Sequence, residues 1–393
     1  MKSKYFWRIL TGLFVLFTAV SCRTLPPTQQ YLDALDAAAE RAQAARELAM
    51  DFEAPALFPS DWAAADSLFA YAEQERRTET IEEIQASTER YEIAADALEA
   101  LAAMTIARSL ENMERDLAQA RIAAVQAGAE TLAPDFLSHA DSAVAAANQM
   151  RQAGDFNAAR DTGASALAMY GFINALLQAG AIREEIAPAL EYWSPDFLLQ
   201  ADTATSDAVQ RWDAGDYNGA LATAVQSLSM FTALDAMLQA YMARAQVADR
   251  VEELTPGALA QADVLAVNAI DQWDAGNFNG AQLAAANAMA MYLNAAASAE
   301  RQLALEARAN VAARQEFDSA QAIFTQGNSS YQARRYLEAG RLFNQSTPLF
   351  RASAYLAIER QLIAEEALRL ANERMAESDE IAREAERILE GDE

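Results

Sequence analysis

"RWDAGDYNGA", residues 211–220, returns as "QWDAGNFNGA" at 272–281, and a looser version, "RQAGDFNAA", stands at 151–159. Asp, Asn and Gly packed this closely fit either a metal loop or a turn between two helices. Counting ligand positions decides between them. A calcium loop of the EF-hand type wants oxygen ligands at its first, third and fifth positions, Gly at the sixth and a bidentate Glu at the twelfth. With Gly219 at the sixth position, Asp216 and Asn218 fall on the third and fifth, but Ala214 and Val225 occupy the first and twelfth. The later copy puts Ala275 and Ala286 there, and the earliest has Ala158 in place of the central Gly. The stretch therefore reads as a turn. Gly154, Gly215 and Gly276 suit the left-handed position that ends a helix, and Asp155, Asp216 and Asn277 suit the cap of the next one.

From this turn a ruler emerges. Pro59, Pro134, Pro195 and Pro256 are each followed seven residues later by an aspartate: Asp66, Asp141, Asp202 and Asp263. The last three prolines are 61 residues apart, and the first interval is 75. The extra 14 residues are about four helical turns, which nearly preserves facing. A fifth, degenerate copy starts near Phe317, where "YQARRYLEAG" replaces the Gly-Asp turn. Self-similarity at a fixed period marks a repeat architecture. The expectation is an all-α helical-repeat array of about five copies with a period of about 61 residues.

Each copy begins with helix-start chemistry. Ser194-Pro195 and Thr255-Pro256 place a capping hydroxyl before a proline suited to the first helical position. Candidate hydrophobic staples are Leu57 with Trp62, Leu132 with Leu137, Trp193 with Leu198 and Leu254 with Leu259. A short helix of about 20 residues then leads from Pro195 to the turn, and a long one of about 38 leads from the turn to Thr255-Pro256. Unequal lengths call for an overlap of the spectrin type. Half of each long helix packs on its own short helix, and the other half packs on the next. Gly180 and Pro188 argue for a break in the corresponding long helix and keep a compact solenoid open. Met169-Tyr170, Met230-Phe231, Met291-Tyr292 and Leu349-Phe350 recur at matching places and read as core.

Composition supports this. Apolar residues are 52% of the 393 and alanine is roughly a quarter, with Gly and Pro scarce. Alanine has the highest helix propensity, and few breakers permit long helices. The tail from Tyr336 reads as helical with a kink before Pro348. Its Glu-, Arg- and Ala-rich part carries a heptad, Leu356, Ile363 and Leu370, that stops at Glu377. It reads as a capping helix, with a coiled coil as the alternative.

The N-terminus reads as an export signal. Lys2, Lys4 and Arg8 precede the apolar run Ile9 to Val20, and small residues lead to Cys22, the only cysteine. "AVSC" at 19–22 resembles the lipobox of bacterial lipoproteins, which implies acylation of Cys22 and cleavage just before it. Ala19 stands where that family most often has Leu. Arg23 instead of Asp implies, by the sorting rule of enteric bacteria, an outer-membrane destination facing the periplasm. After Cys22 there remain 27 basic and 57 acidic residues, a formal −30, with Arg the sole strong base. Such a surface repels nucleic acid and anionic lipid headgroups. Absence of Lys fits a GC-rich genome or a salt-adapted host.

Two further resemblances concern the repeats. "AGDYNGALATAVQSL" resembles the inter-helix turn of tetratricopeptide repeats, though without their 34-residue period. Residues 117–167 resemble an uncharacterised alanine-rich helical domain of bacterial envelope lipoproteins. In some relatives that domain precedes an OmpA-like peptidoglycan-binding domain. This chain has no strand-rich segment for one, so cell-wall binding is not implied.

The organisation expected is 1–22 signal, 23–30 tether, 31–58 N-terminal helix and linker, and repeats at 59–132, 133–193, 194–254 and 255–314. Residues 315–393 hold the degenerate fifth copy and the tail. No catalytic residue, cofactor or metal is expected. His139 is the only histidine, no four-ligand His/Cys zinc site or His-based triad can be assembled, and no phosphate loop occurs. The leading expectation is a non-catalytic, lipid-anchored scaffold for envelope protein partners. The alternative is a solute-binding accessory lipoprotein of a transport system with an apolar ligand cavity.

Overall fold

The computed structural model describes residues 28–391. Cys22, the signal and most of the tether lie outside the described residues. Among the described residues all regular structure is helical, in fourteen helices. In order they are α1 (Gln29–Asp51), α2 (Ala54–Leu57), α3 (Pro59–Gln74), α4 (Ile81–Gln126), α5 (Ala129–Leu132), α6 (Pro134–Gln152), α7 (Phe156–Trp193), α8 (Pro195–Asp213), α9 (Tyr217–Leu254), α10 (Ala260–Asp274), α11 (Phe278–Glu306), α12 (Ala309–Ala312), α13 (Arg314–Gln332) and α14 (Tyr336–Glu390). The chain forms two compact units. Among the described residues one comprises 28–126 and 133–170, the other 127–132 and 171–391, so α7 contributes to both.

In the first unit, α1 and α3 pack on the first half of α4. Leu35, Ala42, Ala72, Ile84 and Tyr91 are buried there, and Leu98 joins Ala49, Ala54 and Ala65 further along. Small side chains bring the helix axes close, and the larger residues of α4 fill the gaps between them. Arg41 of α1 binds Glu99 and Asp96 of α4 across the outer face. The second half of α4 meets other partners: Ile106 and Leu110 pack with Ala159 of α7 and with Phe52, just past α1.

In the second unit, the long helix α9 also serves two neighbours. Its first half meets α8, with Thr205 and Ser227 hydroxyls 2.6 Å apart. Its second half meets α10 and α11, in a core that includes Met237, Val247, Val251, Trp273 and Tyr292. Further on, α13 and α14 close on α11 through Phe317, Phe350 and Ala354. Met169, Tyr170, Met230, Phe231, Tyr292 and Phe350 are buried, whereas Met291 is half-buried and Leu349 exposed.

Several local expectations are corrected. α7 runs unbroken through Gly180 and Pro188. Both lie on the exposed side, as does Glu184, whose carbonyl loses its helical partner to the proline ring where solvent can reach it, while Ile186 and Leu190 hold the opposite face in the core. α14, expected to be helical with a kink before Pro348, is one helix through that proline, with Asn344 exposed; continuity does not contradict a kink. Ser194 makes no side-chain cap bond. The Thr255 hydroxyl bonds back to the Val251 carbonyl, satisfying the end of α9 instead of the start of α10. Gly257, at φ +80°, then delays α10 to Ala260. Leu132, expected to staple the next helix, is 70% exposed and lies over Gly128.

Candidate functional site: turns and arginine clamps

The three Gly turns share one geometry. Gly154, Gly215 and Gly276 have φ of +82°, +79° and +74°, a region in which a Cβ is penalised. The following residue caps the long helix. Asp155 accepts from the Ala158 amide at 3.1 Å, Asp216 from Gly219 at 2.9 Å and Asn277 from Gly280 at 3.1 Å. These acceptors are consumed by the backbone. Asp216 also takes a hydrogen bond from Arg211 at 3.0 Å, and the amide of Asn277 donates to Gln272.

The tryptophans of "RWDAGD" and "QWDAGN" turn inward. Trp212 stacks on Phe172 at 4.8 Å and meets the edge of Tyr217. Trp273 packs against Phe197 and Phe278, and its indole N–H donates to Gln200 of α8 at 2.9 Å. These two turns thus carry their own anchors into the core, whereas the earliest has Arg151 at that place. Where "YQARRYLEAG" replaces the turn, Arg334 adopts φ +59° and Arg335 makes no side-chain cap bond. That corner keeps its path without the glycine or the cap that favour it.

The aspartates spaced from the prolines form a second constellation. Arg121 of α4 donates to both carboxylate oxygens of Asp141 on α6, at 2.8 and 3.0 Å. The buried Tyr170 of α7 donates to the same carboxylate. The second unit repeats the arrangement: Arg244 of α9 binds Asp263 of α10 at 2.7 Å, and Tyr292 of α11 donates at 2.6 Å. Arg183 of α7 grips Asp202 of α8 at 2.5 and 2.9 Å, with Phe231 where the others have tyrosine. Simpler forms are Arg46 with Asp66, and Arg301 with Gln321. The arginines lie 19 or 20 residues before the aspartates. That offset is legible in the sequence once the prolines are aligned.

Electrostatics follow from this geometry. The Arg121 guanidinium, aided by Tyr170, holds the Asp141 carboxyl below its ordinary value, and Arg244 with Tyr292 does the same for Asp263. Burial, then hydrogen bonding to the carboxylate, raises the Tyr170 and Tyr292 hydroxyls. The groups serve one another.

A different polar cluster sits among α9, α11 and α14. Glu300 is 1% exposed. Its Oε1 accepts from Arg250 at 3.1 Å and from two nitrogens of Arg351, while Oε2 is buried without a hydrogen-bond partner. In the sequence Glu300 stands among alanines and polar residues like other helical carboxylates, and only packing buries it. His139 is exposed on α6. Among the described residues no cluster of three or more His, Cys, Asp or Glu side chains is placed to hold a metal ion.

No family model matches the chain, and no curated protein or solved structure matches it.

Apolar concavities occur in both units. In the first, a groove of about 590 Å³ is lined by Leu48, Ala102, Ile106, Leu110 and Phe156, with Glu99 and Arg151 at its edges. In the second, a cavity of about 100 Å³ lies under Trp193, Tyr241 and Tyr292.

Proposed function

We propose that this chain is a lipid-anchored envelope lipoprotein, held through Cys22 and facing the periplasm from the outer membrane, and that it is a non-catalytic helical-repeat scaffold for protein partners. The observation that carries the scaffold reading is the recurrence of one clamp, Arg–Asp with or without Tyr, at Arg121, Arg183 and Arg244. The same polar groups bind each other at every occurrence, as parts of a construction that is repeated. A period of about 61 residues, five copies and an extended, overlapping stack complete the proposal. Long helices that serve one set of neighbours with each half favour the overlap. The surface so presented is acidic and arginine-only, suited to partners and unsuited to nucleic acid.

Crosslinking in native envelopes with partner identification tests the scaffold. Recovery of the chain alone at every crosslinker length refutes it. Anchoring is tested by Cys22→Ala, which should abolish lipid labelling and free the chain from membranes. Extension is tested by small-angle scattering, with a maximum dimension well above ~100 Å expected from helix lengths laid end to end.

A second reading, the solute-binding accessory of a transport system, has the groove beside Leu48, Ile106 and Phe156 in its favour, since its volume falls within the range of small-molecule sites. Co-purification of a stoichiometric small molecule, lost on Ile106→Trp, would favour it over the scaffold.

A further inference from the structure

The last helix leaves the fold. Arg360 and Gln361 of α14 still reach the backbone carbonyls of Ala312 and Ala307. Every residue from Leu362 to Ile388 is then exposed, a helical stretch of about 40 Å. A freestanding helix with no purpose for its faces would be polar all round. This one is not. Ile363, Leu368, Leu370, Met375, Ile381 and Ile388 are 42–71% exposed. At about 100° per residue they fall, with every alanine between them except Ala376, on one arc about 160° wide, interrupted by Arg374 and Ser378, while Leu362 lies on the far side. The seam of a two-stranded coiled coil is narrower. An arc this wide is that of a helix seated between neighbours, as the other long helices are.

The edges of the arc say what kind of neighbour. Glu366, Glu373, Glu377 and Glu384 follow one edge, and Glu365, Asp379 and Glu386 follow the other. Arg369 and Arg387 lie on the far side, where they pair with Glu366, Glu373 and Glu384. Arg383 lies on the second edge, at the angle of Glu365, and leaves that edge acidic on balance. A second copy of the helix, parallel or antiparallel, would set acidic edge against acidic edge. Like charges facing one another across an interface suppress that pairing.

We propose that residues 362–388 form a docking helix for a partner whose helical segment carries an apolar stripe flanked by Lys or Arg. The apolar arc supplies the buried contact, and the acidic edges select the partner and exclude self-association. This names a partner class for the scaffold reading and rests on it. Envelope crosslinks that survive a failure of the test below would leave the scaffold standing and remove only this helix as its docking surface.

The test uses the full chain and three synthetic helical peptides. One has a Leu/Ala stripe flanked by Lys, one has the same stripe flanked by Glu, and one is a scramble of the first that keeps its charge but loses the stripe. The scramble controls for the attraction of any cation to a chain of net charge −27. Fluorescence anisotropy should show the Lys-flanked peptide binding at least about tenfold tighter than either control, with the margin narrowing as salt screens the edges. Met375→Glu should abolish the binding. Glu377→Lys with Asp379→Lys and Glu384→Lys should move preference to the Glu-flanked peptide. These side chains are exposed, and circular dichroism checks that the fold is intact. Equal binding of all three peptides, or none, overturns the proposal. So does a doubled mass in light scattering that Met375→Glu returns to monomer, or a partition onto phosphatidylcholine vesicles that exceeds binding to the Lys-flanked peptide and that Met375→Glu, with the N-terminal anchor intact, abolishes.

Discussion

Asp263→Ala offers the sharpest check on the clamp. The carboxylate accepts from Arg244 and from the buried Tyr292, and both bonds disappear together. The arginine side chain is 48% exposed and can return to water, so losing the ion pair costs about 0–1 kcal/mol. The tyrosine hydroxyl cannot. A hydrogen bond to a charged acceptor contributes about 1.5–3 kcal/mol, and the donor left behind in the core keeps its desolvation penalty. The expected loss is about 2–4 kcal/mol. Asp202 in the same unit is the internal control, because Phe231 stands where Tyr292 would be and only the Arg183 pair is lost. Asp202→Ala should cost about 1 kcal/mol or less. In a unit of this size 1 kcal/mol moves the melting temperature by about 2–4 °C. Scanning calorimetry should therefore show a fall of roughly 4–16 °C for Asp263→Ala and no more than about 4 °C for Asp202→Ala. Equal falls would refute the reasoning, since the buried hydroxyl would then contribute nothing.

Four further outcomes are expected. Ala220 is fully buried at the turn, so Ala220→Leu should destabilise by about 1–3 kcal/mol, read from the urea midpoint. Arg334 bears a Cβ at φ +59°, and Arg334→Gly should stabilise by about 0.5–1 kcal/mol in the same titration. Glu300→Ala removes the acceptor shared by Arg250 and Arg351; because both arginines are partly exposed and can return to water, the loss should be about 2–3 kcal/mol, below the ~3–5 kcal/mol of a fully buried pair that is broken. Asp141 and Asp263 have lowered folded values, so their contribution is complete above the ordinary aspartate value of 3.8 and disappears as pH falls through the folded values. The raised Tyr170 and Tyr292 contribute below pH 10.0, and that part is lost as pH rises through their folded values. Urea midpoints between about pH 2 and 11 should fall at both ends, and Asp141→Asn with Asp263→Asn should flatten the acid limb.

Most of the helix boundaries were legible because their causes are local. A glycine that must take positive φ, an aspartate one residue on and an apolar stripe at helical spacing locate Gly215, Asp216 and α9 without any knowledge of neighbours. The capping hydroxyls misled for a reason outside the local pattern. The Thr255 side chain serves whichever helix end lies in reach, and the end of α9 is closer than the delayed start of α10. Gly180 and Pro188 misled because their effect depends on facing. On the exposed side an interrupted hydrogen-bond ladder is open to solvent, and a buried face opposite keeps the helix continuous.

The candidate site divides in the same way. Asp141, Asp202 and Asp263 stood out as a ruler, but nothing in their spacing names an arginine as the partner. Arg121, Arg183 and Arg244 come from the preceding long helix, and the tyrosines from the following one. Glu300 looks like any other helical carboxylate. Only the closing of α9 and α14 over α11 buries it and leaves Oε2 without a partner.

By itself, then, the sequence determined the helical class, the turns and the alternation of short and long helices, since propensity, capping and left-handed glycine act within a few residues. Tertiary structure alone decided which carboxylates become clamps, which tryptophans become anchors, and that residues 362–388 stay outside the core with an apolar arc uncovered. Burial and pairing depend on what an independent segment brings to the same place, and a one-dimensional pattern does not carry that.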